Sequence, residues 1–519
     1  MNCDNKFMKL SGPCLYLVLS ATAVAGQLRI NQEGRVLGPA PVVTAPILFD
    51  TPQADAVVAA MQIMPVTSAW NEDVSRLPLL SNSDAMITQI TNDLASNRRT
   101  LRAFFEMNYV LVPDNQPTQS INFFNYPDES DLDGGVSPNG LYPIPANLPI
   151  ETWPVGTGTL TLQQWQQDDD GSDRHAIMVA PGAGFIWETW ETLSVNNAWQ
   201  ASNGAKFDLK SNTLRPAGWT SGDAAGLPMF PALVRYDECQ RGMVEHAVRL
   251  VVKRSRQSSI YPATHQAGST TLANVPAMGQ RLRLKASFVI PSTWTKESKA
   301  VALALKKYGG IVADNGGFLS FSVCPDDRFA AGAFDNLSTI AISNFEVVQS
   351  TGATGGPRSP GAPTATAGAD QTINFGATVT LAGNITATGS PTVQWKMVSG
   401  PGTVTFGNAA QPATTATFSL PGAYILMLNA DDGVHAVARD AVTMNVLLPS
   451  AGFRSGNNFV VQFPTLSGRT YRVEESADMS ATSWTTTVDN IAGSGAVQQI
   501  PVTGALANPQ RFYRVRVLP

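Results

Sequence analysis

The sequence predicts a mainly β protein with several domains. At 519 residues the chain exceeds a single core, and about 150 residues per domain suggests three or four domains. Its 43 Gly and 35 Pro, with many Thr, Ser and Val, favour short strands joined by turns. We therefore expect a large β-rich domain of sandwich or jelly-roll type with a few short helices, followed by two small β-sandwich domains.

The N-terminus has the order of a secretory signal peptide. Lys6 and Lys9 precede an apolar run over 10–24, and the small residues of 23–25 form a cleavage site. No later run approaches the ~18 apolar residues that a membrane-spanning helix needs. We expect residues 1–26 to be removed and the mature protein to be secreted or held at the cell surface.

Charge and cysteine content limit the partners and the covalent links. The net charge is −5 and no long basic run occurs, so neither nucleic acid nor an anionic membrane is an expected partner. Only Cys239 and Cys324 would remain after cleavage. One disulfide, stabilising by roughly 3–5 kcal/mol, and two buried free thiols are both open.

The first elements after the leader are an extended segment, a helix and an acidic loop. Residues 27–60 show little periodicity, whereas 83–94 has a helical period with Ser83 or Asp84 as its cap. The acid-rich, turn-forming run 127–140 could bind calcium through its oxygen atoms, although it lacks the spacing of an EF-hand loop. We expect no cofactor, with calcium at this run as the open alternative.

Strands dominate from about residue 159 onward. The segment FIWETWETLSV alternates aromatic and polar side chains through Phe185, Trp187 and Trp190, and such alternation is typical of a half-buried sheet. Residues 296–308 predict a second helix that ends at a glycine pair, and the segment after it predicts a hairpin turning at Asn315. We group 61–349 as one β-rich domain.

A linker and a recognisable module follow. Residues 350–362 are rich in Gly and Pro, and strands of five to eight residues then alternate with turns. VQWKMVSGPG, which contains Trp395, and GAYILMLNADDG (422–433) resemble the PKD domain over 363–447. The resemblance implies an immunoglobulin-like spacer or adhesive unit, of the kind frequent in secreted bacterial enzymes and surface proteins.

The last block, 452–519, carries a Gly-x-x-Tyr-x-Val-x-x-Ser pattern and a closing Arg-Phe-Tyr-Arg-Val. It resembles the short C-terminal β-domains of modular secreted bacterial proteins, with Tyr471, Trp484 and Tyr513 as core aromatics. By analogy, its position implies attachment or sorting.

The large domain also resembles a known pattern. SAWNEDVS, SDRHAIMV, LVRYDE, YPATH and KKYGGIVADNG are similar to an uncharacterised family of secreted microbial proteins. That resemblance implies a single domain and supplies no mechanism, so its residues must be considered by their chemistry.

Several chemistries fit the acids, histidines and aromatics of this domain. A glycosidase needs two carboxylates, for which the candidates are Asp223, Asp237, Glu238, Glu245 and Asp314. A polysaccharide lyase needs a base and a cation, for which the candidates are His246, His265, Tyr261, Arg249 and Arg281. His175, His246 and His265 could instead meet at a metal, but they lack the short spacing of helix-borne ligands, and we predict no metal site.

Each candidate also has a structural interpretation. His246 alternates in phase with a strand, and Asp314 precedes a turn sequence. The alternating cations Arg281 and Arg283 suit either a solvated strand face or a cationic stripe for an acidic glycan. His265 falls in a loop and is the stronger candidate, because loops on a rigid sheet commonly carry sites.

The predicted site follows from these comparisons. We expect the catalytic residues to be His265, His246, Asp223 and Asp237. We expect the substrate-binding residues to be Arg235, Arg281, Arg283, Trp187 and Tyr261.

The predicted function is polysaccharide binding, and polysaccharide degradation by hydrolysis or elimination. The chain has no Gly-x-Ser-x-Gly elbow, phosphate loop or dinucleotide fingerprint, which disfavours esterase, nucleotide and nicotinamide chemistry. The alternative is a non-catalytic surface or matrix protein built of adhesive modules. The expected partner is a polysaccharide or a cell-surface glycan.

Overall fold

A computed structural model describes residues 29–349, 361–507 and 510–518, together with the backbone of Cys14–Leu17. The rest of the expected leader and most of the expected linker at 350–362 lie outside the described residues. The chain divides into two compact units, one of Arg29–Ala362 with Gly433–Ala436 and one of Pro363–Asp432 with Val437–Pro519. The division between the last two small domains stays a prediction.

Helices are few and short. The α-helices are Pro52–Ala59, Ser83–Asn92, Leu162–Gln167, Tyr236–Arg241 and Lys296–Lys307. The 3₁₀ turns are Ala69–Asn71, Ser96–Arg98, Pro127–Glu129, Phe230–Ala232, Asp335–Thr339, Ile342–Asn344 and Ala505–Ala507.

Both helices predicted from periodicity are present. Ser83–Asn92 buries Met86, Ile87 and Ile90 on one face. Lys296–Lys307 begins where the Thr295 hydroxyl accepts the Ser298 N–H, which satisfies one of the unpaired donors of the first turn.

The larger unit contains several β-sheets. Hydrogen-bonded order in the five-stranded sheet is Asn203–Asp208, Phe185–Trp190, Ala176–Ala180, Val110–Leu111, Ile47–Leu48. The four-stranded sheet runs Leu193–Val195, Ala198–Ala201, Gln119–Phe123, Asn139–Tyr142. The six-stranded sheet runs Phe345–Val347, Arg281–Leu284, Gly310–Asn315, Val248–Val252, Leu319–Val323, Leu101–Phe105, and Arg29–Ile30 pairs with Val36–Leu37.

The mainly β prediction is confirmed, and the sheets of the larger unit are mixed. Val248–Val252 pairs in parallel with Gly310–Asn315 and antiparallel with Leu319–Val323. The predicted hairpin at Asn315 is therefore wrong, because a distant strand lies between the two segments. Asp314 belongs to a strand and does not form a turn.

Two buried hydrophobic clusters hold the larger unit together. One packs both predicted helices against the six-stranded sheet, with Leu305, Ile311 and Phe321 among its members. The other lies between the five- and four-stranded sheets around Phe123, Trp187 and Trp199.

The smaller unit is a set of short sheets. Its strands pair in these orders: Gln371–Asn374, Ala438–Leu447, Gly422–Asp431, Thr392–Ser399; Val379–Ala382, Ala413–Phe418, Val404–Phe406; Thr364–Thr366, Asn384–Thr386; Ala451–Ser455, Asn458–Pro464, Val497–Val502; and Cys14–Leu17, Gln510–Leu518, Thr470–Ser476, Thr485–Ala492. Trp395, Tyr471 and Tyr513 are buried in one shared cluster. Trp484 is half-buried beneath the Arg514 guanidinium.

The two cysteines of the larger unit are free thiols. Cys239 and Cys324 are 0% and 2% exposed and form no disulfide. Burial raises the pKa of each thiol well above its ordinary value. Of the two sequence alternatives, the free thiols are the one observed.

Among the described helices, none is long and apolar enough to cross a membrane.

Candidate functional site

A cleft of about 360 Å³ opens in the larger unit. It is lined by Tyr126, Asp173, His175, Trp190, Thr220, Ser221, Gly222, Ala224, His265, Ala267, Asp314 and Asn315. These side chains come from loops and strand ends of the mixed sheets, which is where binding residues are commonly placed on a rigid scaffold. Three sequence candidates, His175, His265 and Asp314, meet there.

Two hydrogen-bonded loops position His265. The backbone N–H groups of Thr264 and His265 donate to the Ala225 carbonyl over 3.0 and 3.1 Å. The His265 Nδ1 lies 2.7 Å from the Ala224 carbonyl oxygen. A carbonyl can only accept, so Nδ1 carries a proton, and in the neutral ring Nε2 has the lone pair. Within the described part of the chain no partner is recorded for Nε2.

A glycine makes the close approach of these loops feasible. Gly226 has φ +70°, and a Cβ there would lie 2.2 Å from the Thr264 hydroxyl and 2.5 Å from the Trp219 carbonyl. A side chain would therefore separate the loop of Ala224 from the loop of His265.

His175 has a different role from His265, because its ring nitrogens are both engaged. Nδ1 lies 2.8 Å from the Glu151 carboxylate and Nε2 lies 2.8 Å from the Gly222 carbonyl. Burial alone would lower the pKa of His175, but the Glu151 carboxylate outweighs it and raises the pKa to about 9. At neutral pH the ring is an imidazolium that donates twice, so it has no lone pair with which to act as a base.

Asp223 lies directly under the cleft. It is 1% exposed, and its loop neighbours Ser221, Gly222 and Ala224 line the cleft. Arg249 Nη2 forms an ion pair with Asp223 Oδ1 over 3.2 Å. Burial raises the pKa of Asp223 to about 6 against the opposing effect of Arg249.

The same guanidinium links Asp223 to the cleft wall. Arg249 Nη2 donates to Asp314 Oδ2 over 2.7 Å, and Nη1 lies 3.8 Å from Glu106 Oε1. Burial would lower the pKa of Arg249, but the carboxylates of Asp223 and Asp314 outweigh it and raise the pKa further. Arg249 is therefore a buried cation that three carboxylates neutralise.

Two further carboxylic acids lie near this group, the buried Glu188 and the partly exposed Glu106. Burial raises the pKa of Glu188 to about 7, although its carboxylate accepts the backbone N–H groups of Met229 and Phe230. Burial also raises the pKa of Glu106. Perturbed acids gathered under a cleft are typical of functional sites, although structural ion networks produce them too.

An aromatic pair lines the same cleft. Tyr126 is 42% exposed, and its ring centroid lies 6.3 Å from that of the half-buried Trp190. The Trp190 indole N–H donates to the exposed Asp173 carboxylate over 3.3 Å. Such rings offer apolar faces beside polar groups, as sugar rings require of a binding site.

His246 and Asp237, both predicted to be catalytic, lie in another part of the unit. His246 Nε2 is 3.1 Å from Glu238, and Arg235 Nη2 is 2.7 Å from the same carboxylate. Asp237 pairs with Arg241. These residues are buried beside a space of only about 30 Å³, room for about one water.

Acids in that second cluster are held by cations. Burial would raise the pKa of Glu238, but Arg235 and His246 outweigh it and lower the pKa to about 2. Glu245 binds Arg35 over 2.8 Å. We interpret the cluster as an ion network that joins the helix at Tyr236–Arg241 to its surroundings, and we leave it out of the proposed site.

The predicted substrate-binding cations are occupied internally. Arg281 is 4% exposed and donates to the backbone carbonyls of Tyr308 and Ala69. Arg283 binds Glu346 over 2.7 Å and donates to the Leu77 carbonyl. The strand that carries them presents neither a solvated face nor a cationic stripe at these two positions.

The predicted aromatic residues do not line this cleft either. Trp187 is 8% exposed, and its indole N–H donates to Asp133 over 2.7 Å. Tyr261 is partly buried against Pro262 and Arg281, beside two smaller cavities. Their roles in substrate binding stay predictions without support from the cleft.

Acids of the 127–140 run are engaged by protein donors. Asp131 accepts the Arg215 guanidinium and the Lys206 backbone N–H, and Asp133 accepts the Lys206 ammonium. Across the described ranges no group of three or more His, Cys, Asp or Glu side chains is arranged to hold a metal ion.

Sequence reasoning missed Tyr126, Trp190 and Asp173 as site residues. Trp190 stood in the alternating strand that suggested Trp187, and the odd spacing of three residues places the two indoles on opposite faces. The one local signal for the loop that contains Tyr126 was this aromatic residue itself, which lies directly before the acidic turn. Nothing local marked Glu151 or Glu188, whose partners are distant in sequence.

Comparison with known proteins identifies one module. The family model described as "K319L-like, PKD domain" matches residues 367–446. Residues 367–446 are a PKD domain. The match confirms the resemblance predicted for this part of the chain and covers no residue of the cleft.

Solved structures add likenesses of low score. The solution structure of the PKD domain from the KIAA 1837 protein is 23% identical and covers 21% of this chain and 100% of its own, with a TM-score of 0.14. A chimeric titin Z1Z2 carrying a peptide from decorin is 15% identical over 30% of this chain and 94% of its own, with a TM-score of 0.15.

A third likeness is to a nucleoside hydrolase-related hypothetical protein from Saccharophagus degradans, described as associated with carbohydrate metabolism. It is 12% identical over 34% of this chain and 41% of its own, with a TM-score of 0.15. No curated protein matches the chain. We draw no functional argument from likenesses at these scores.

Proposed function

We propose that this is a secreted, polysaccharide-binding protein that processes a glycan in the cleft at His265. The observation that carries the proposal is the meeting of three features in one cavity. These are a histidine whose Nε2 has no hydrogen-bond partner among the described residues, the carboxylates of Asp173 and Asp314, and the Tyr126–Trp190 aromatic pair. The PKD domain supports an extracellular location and a binding role.

Each group has a distinct part in the proposed reaction. The faces of Tyr126 and Trp190 bind sugar rings, and Asp173 holds the Trp190 indole by its hydrogen bond. His265, fixed in one tautomer by the Ala224 carbonyl, accepts a proton at Nε2 from a water or from the sugar. The proton that His265 takes up is returned to the leaving glycosidic oxygen, and the Asp314 carboxylate, oriented by Arg249, stabilises the positive charge that His265 gains.

The test is a glycan screen on the full chain that scores both binding and product. Reducing ends would indicate hydrolysis, and unsaturated ends would indicate elimination. We expect His265→Ala to lower the rate of product formation by about 100-fold or more while binding persists. His435→Ala is the control, because His435 does not line the cleft.

Aromatic substitutions test the binding part separately. Trp190→Ala should weaken glycan binding about tenfold, from the loss of one ring face. Trp484→Ala is the matched control, because Trp484 is also half-buried but belongs to the smaller unit. The absence of both binding and product with every glycan of the screen would overturn the proposal.

The alternative function is a non-catalytic adhesive or scaffold protein. The PKD domain favours it, because such domains often mediate binding. It predicts glycan binding that Trp190→Ala weakens, with no product from any glycan.

A further inference from the structure

The charge of the cleft points to the kind of sugar that it takes. Of the twelve described residues that line it, two are aspartates and none is Lys or Arg. Asp173 is exposed, and Asp314 is 28% exposed. A uronate polymer would bring one carboxylate per sugar toward these groups, and the lining His175 imidazolium is already paired with Glu151.

The cations beneath the cleft do not reverse this charge. Arg249 lies within 3.8 Å of the Asp223, Asp314 and Glu106 carboxylates, so its single charge is already shared among three acids. The His175 imidazolium pairs with Glu151 over 2.8 Å. The cleft and its floor therefore present net negative charge to a ligand.

A negative cleft with exposed aromatic faces favours a sugar that carries positive charge. We propose that the cleft selects glycans with free amino groups over N-acetylated and uronate glycans, and that Asp173 is the specificity-determining residue. In this proposal a sugar ring packs on Trp190, and its ammonium group meets the carboxylate that already holds the indole N–H. The inference rests on the proposed function and narrows its substrate class.

The expected discrimination is modest, because Asp173 is exposed to solvent. An exposed ammonium–carboxylate pair changes affinity by about fivefold at most. Several amino groups along one chain would multiply the effect, and added salt would reduce it by screening.

The test uses the full chain and three tetrasaccharide probes, made of glucosamine, N-acetylglucosamine and galacturonic acid. Their affinities are measured by calorimetry at low and high salt, at a pH at which the amine is protonated. We expect the glucosamine tetramer to bind tightest and the galacturonate tetramer weakest. The preference for glucosamine should shrink in high salt.

Asp173→Asn identifies the residue responsible. It should reduce the preference for glucosamine over N-acetylglucosamine by about fivefold. Asp168→Asn is the control, because Asp168 is an exposed aspartate from a nearby loop that does not line the cleft. Its preference should stay that of the wild type.

The outcomes separate this inference from the proposed function. Equal binding of the amine and acetyl probes, or tightest binding of the uronate probe, overturns the inference and leaves glycan binding standing. An unchanged preference in Asp173→Asn overturns the role of that residue. Failure of all three probes, together with silence across the wider screen, overturns both.

Discussion

Two histidines of one cleft differ in their chemistry because their partners differ. His175 donates from both ring nitrogens, to a carboxylate and to a carbonyl, whereas His265 donates only from Nδ1. The first is therefore a fixed cation, and the second has a lone pair on Nε2 when its ring is neutral. Sequence reasoning favoured His265 because of its loop position, but the partners of both rings lie far away in the chain.

The His175–Glu151 pair should dominate the pH dependence of the larger unit. His175→Ala leaves a buried carboxylate without its partner, so we expect a loss of about 3–5 kcal/mol in the free energy of unfolding near neutral pH. Because the folded pKa of His175 is raised to about 9, its contribution is complete below about pH 6.5 and is lost as the pH rises through about 9. Burial would raise the pKa of Glu151, but the His175 imidazolium outweighs it and lowers that pKa. The contribution of Glu151 to stability is therefore lost in acid, as the pH falls through its folded pKa.

Urea unfolding of wild type and variant between pH 4 and 10 checks this prediction. The difference between the two should be largest between about pH 5 and 7 and should shrink in both directions. A difference that is independent of pH would show that the pair is not ionised as described. His435→Ala should keep the wild-type profile.

The sequence pointed to the strand that reaches the cleft, but it favoured Trp187, whereas Trp190 is the indole that lines the cleft. The alternation in Phe185–Trp190 predicts a half-buried strand, but its four central residues, 186–189, are all buried. Which face meets a core and which meets a cleft depends on the neighbouring sheets, so Trp187 and Trp190 could not be told apart by local pattern. The same limit applies to Arg281 and Arg283, whose partners come from other segments.

At the scale of elements, the site depends on two loops, 219–226 and 261–267, that touch through backbone groups. Thr264 donates through its hydroxyl to the Trp219 carbonyl, and Gly218 donates to the Thr264 carbonyl over 2.8 Å. These hydrogen bonds join the two loops, and the contact between the loops holds His265 in its position.

Gly226→Ala should separate these loops. The substitution adds a Cβ 2.2 Å from the Thr264 hydroxyl at a residue with φ +70°. We expect a loss of more than about 1–2 kcal/mol in stability and a fall in turnover larger than the fall in overall folded fraction.

Gly218→Ala is the matched control for that experiment. Gly218 has φ +88°, but a Cβ there would meet nothing within 4 Å. It should show the cost of the backbone conformation alone, about 1–2 kcal/mol, with turnover unaffected. Equal effects of the two substitutions on turnover would contradict the role given to the loop contact.

Elements with a local signal were predicted well, and their pairing was not. The helices at Ser83–Asn92 and Lys296–Lys307 follow from a repeat and a cap within a few residues. The hairpin at Asn315 failed because Val248–Val252, some sixty residues earlier, pairs with both segments. Strand order is decided by contacts that no short window of sequence contains.

At the scale of the whole molecule, each unit has its own buried clusters. Those of the larger unit contain no residue of 363–432 or 437–519, and the cluster of the smaller unit joins the PKD domain to the C-terminal block. Because each unit has its own buried apolar core, we expect each to unfold in its own cooperative transition.

Calorimetry of the full chain should therefore resolve two transitions. His175→Ala should lower the midpoint of one transition by several degrees, and Trp395→Ala should lower the other, through the loss of a buried indole worth about 3–5 kcal/mol. A single transition that both substitutions shift would contradict independent units.

The buried thiols of Cys239 and Cys324 offer a view of the larger unit in motion. A thiol reagent reaches a shielded cysteine only when the surrounding structure opens, so the rate of labelling reports how often that happens. One cysteine lies in a short helix and the other directly after a central strand, which makes them reporters of two different openings. The labelling rate of each thiol would be measured with and without added glycan. A slower rate at one cysteine would identify the part of the unit whose opening the ligand suppresses.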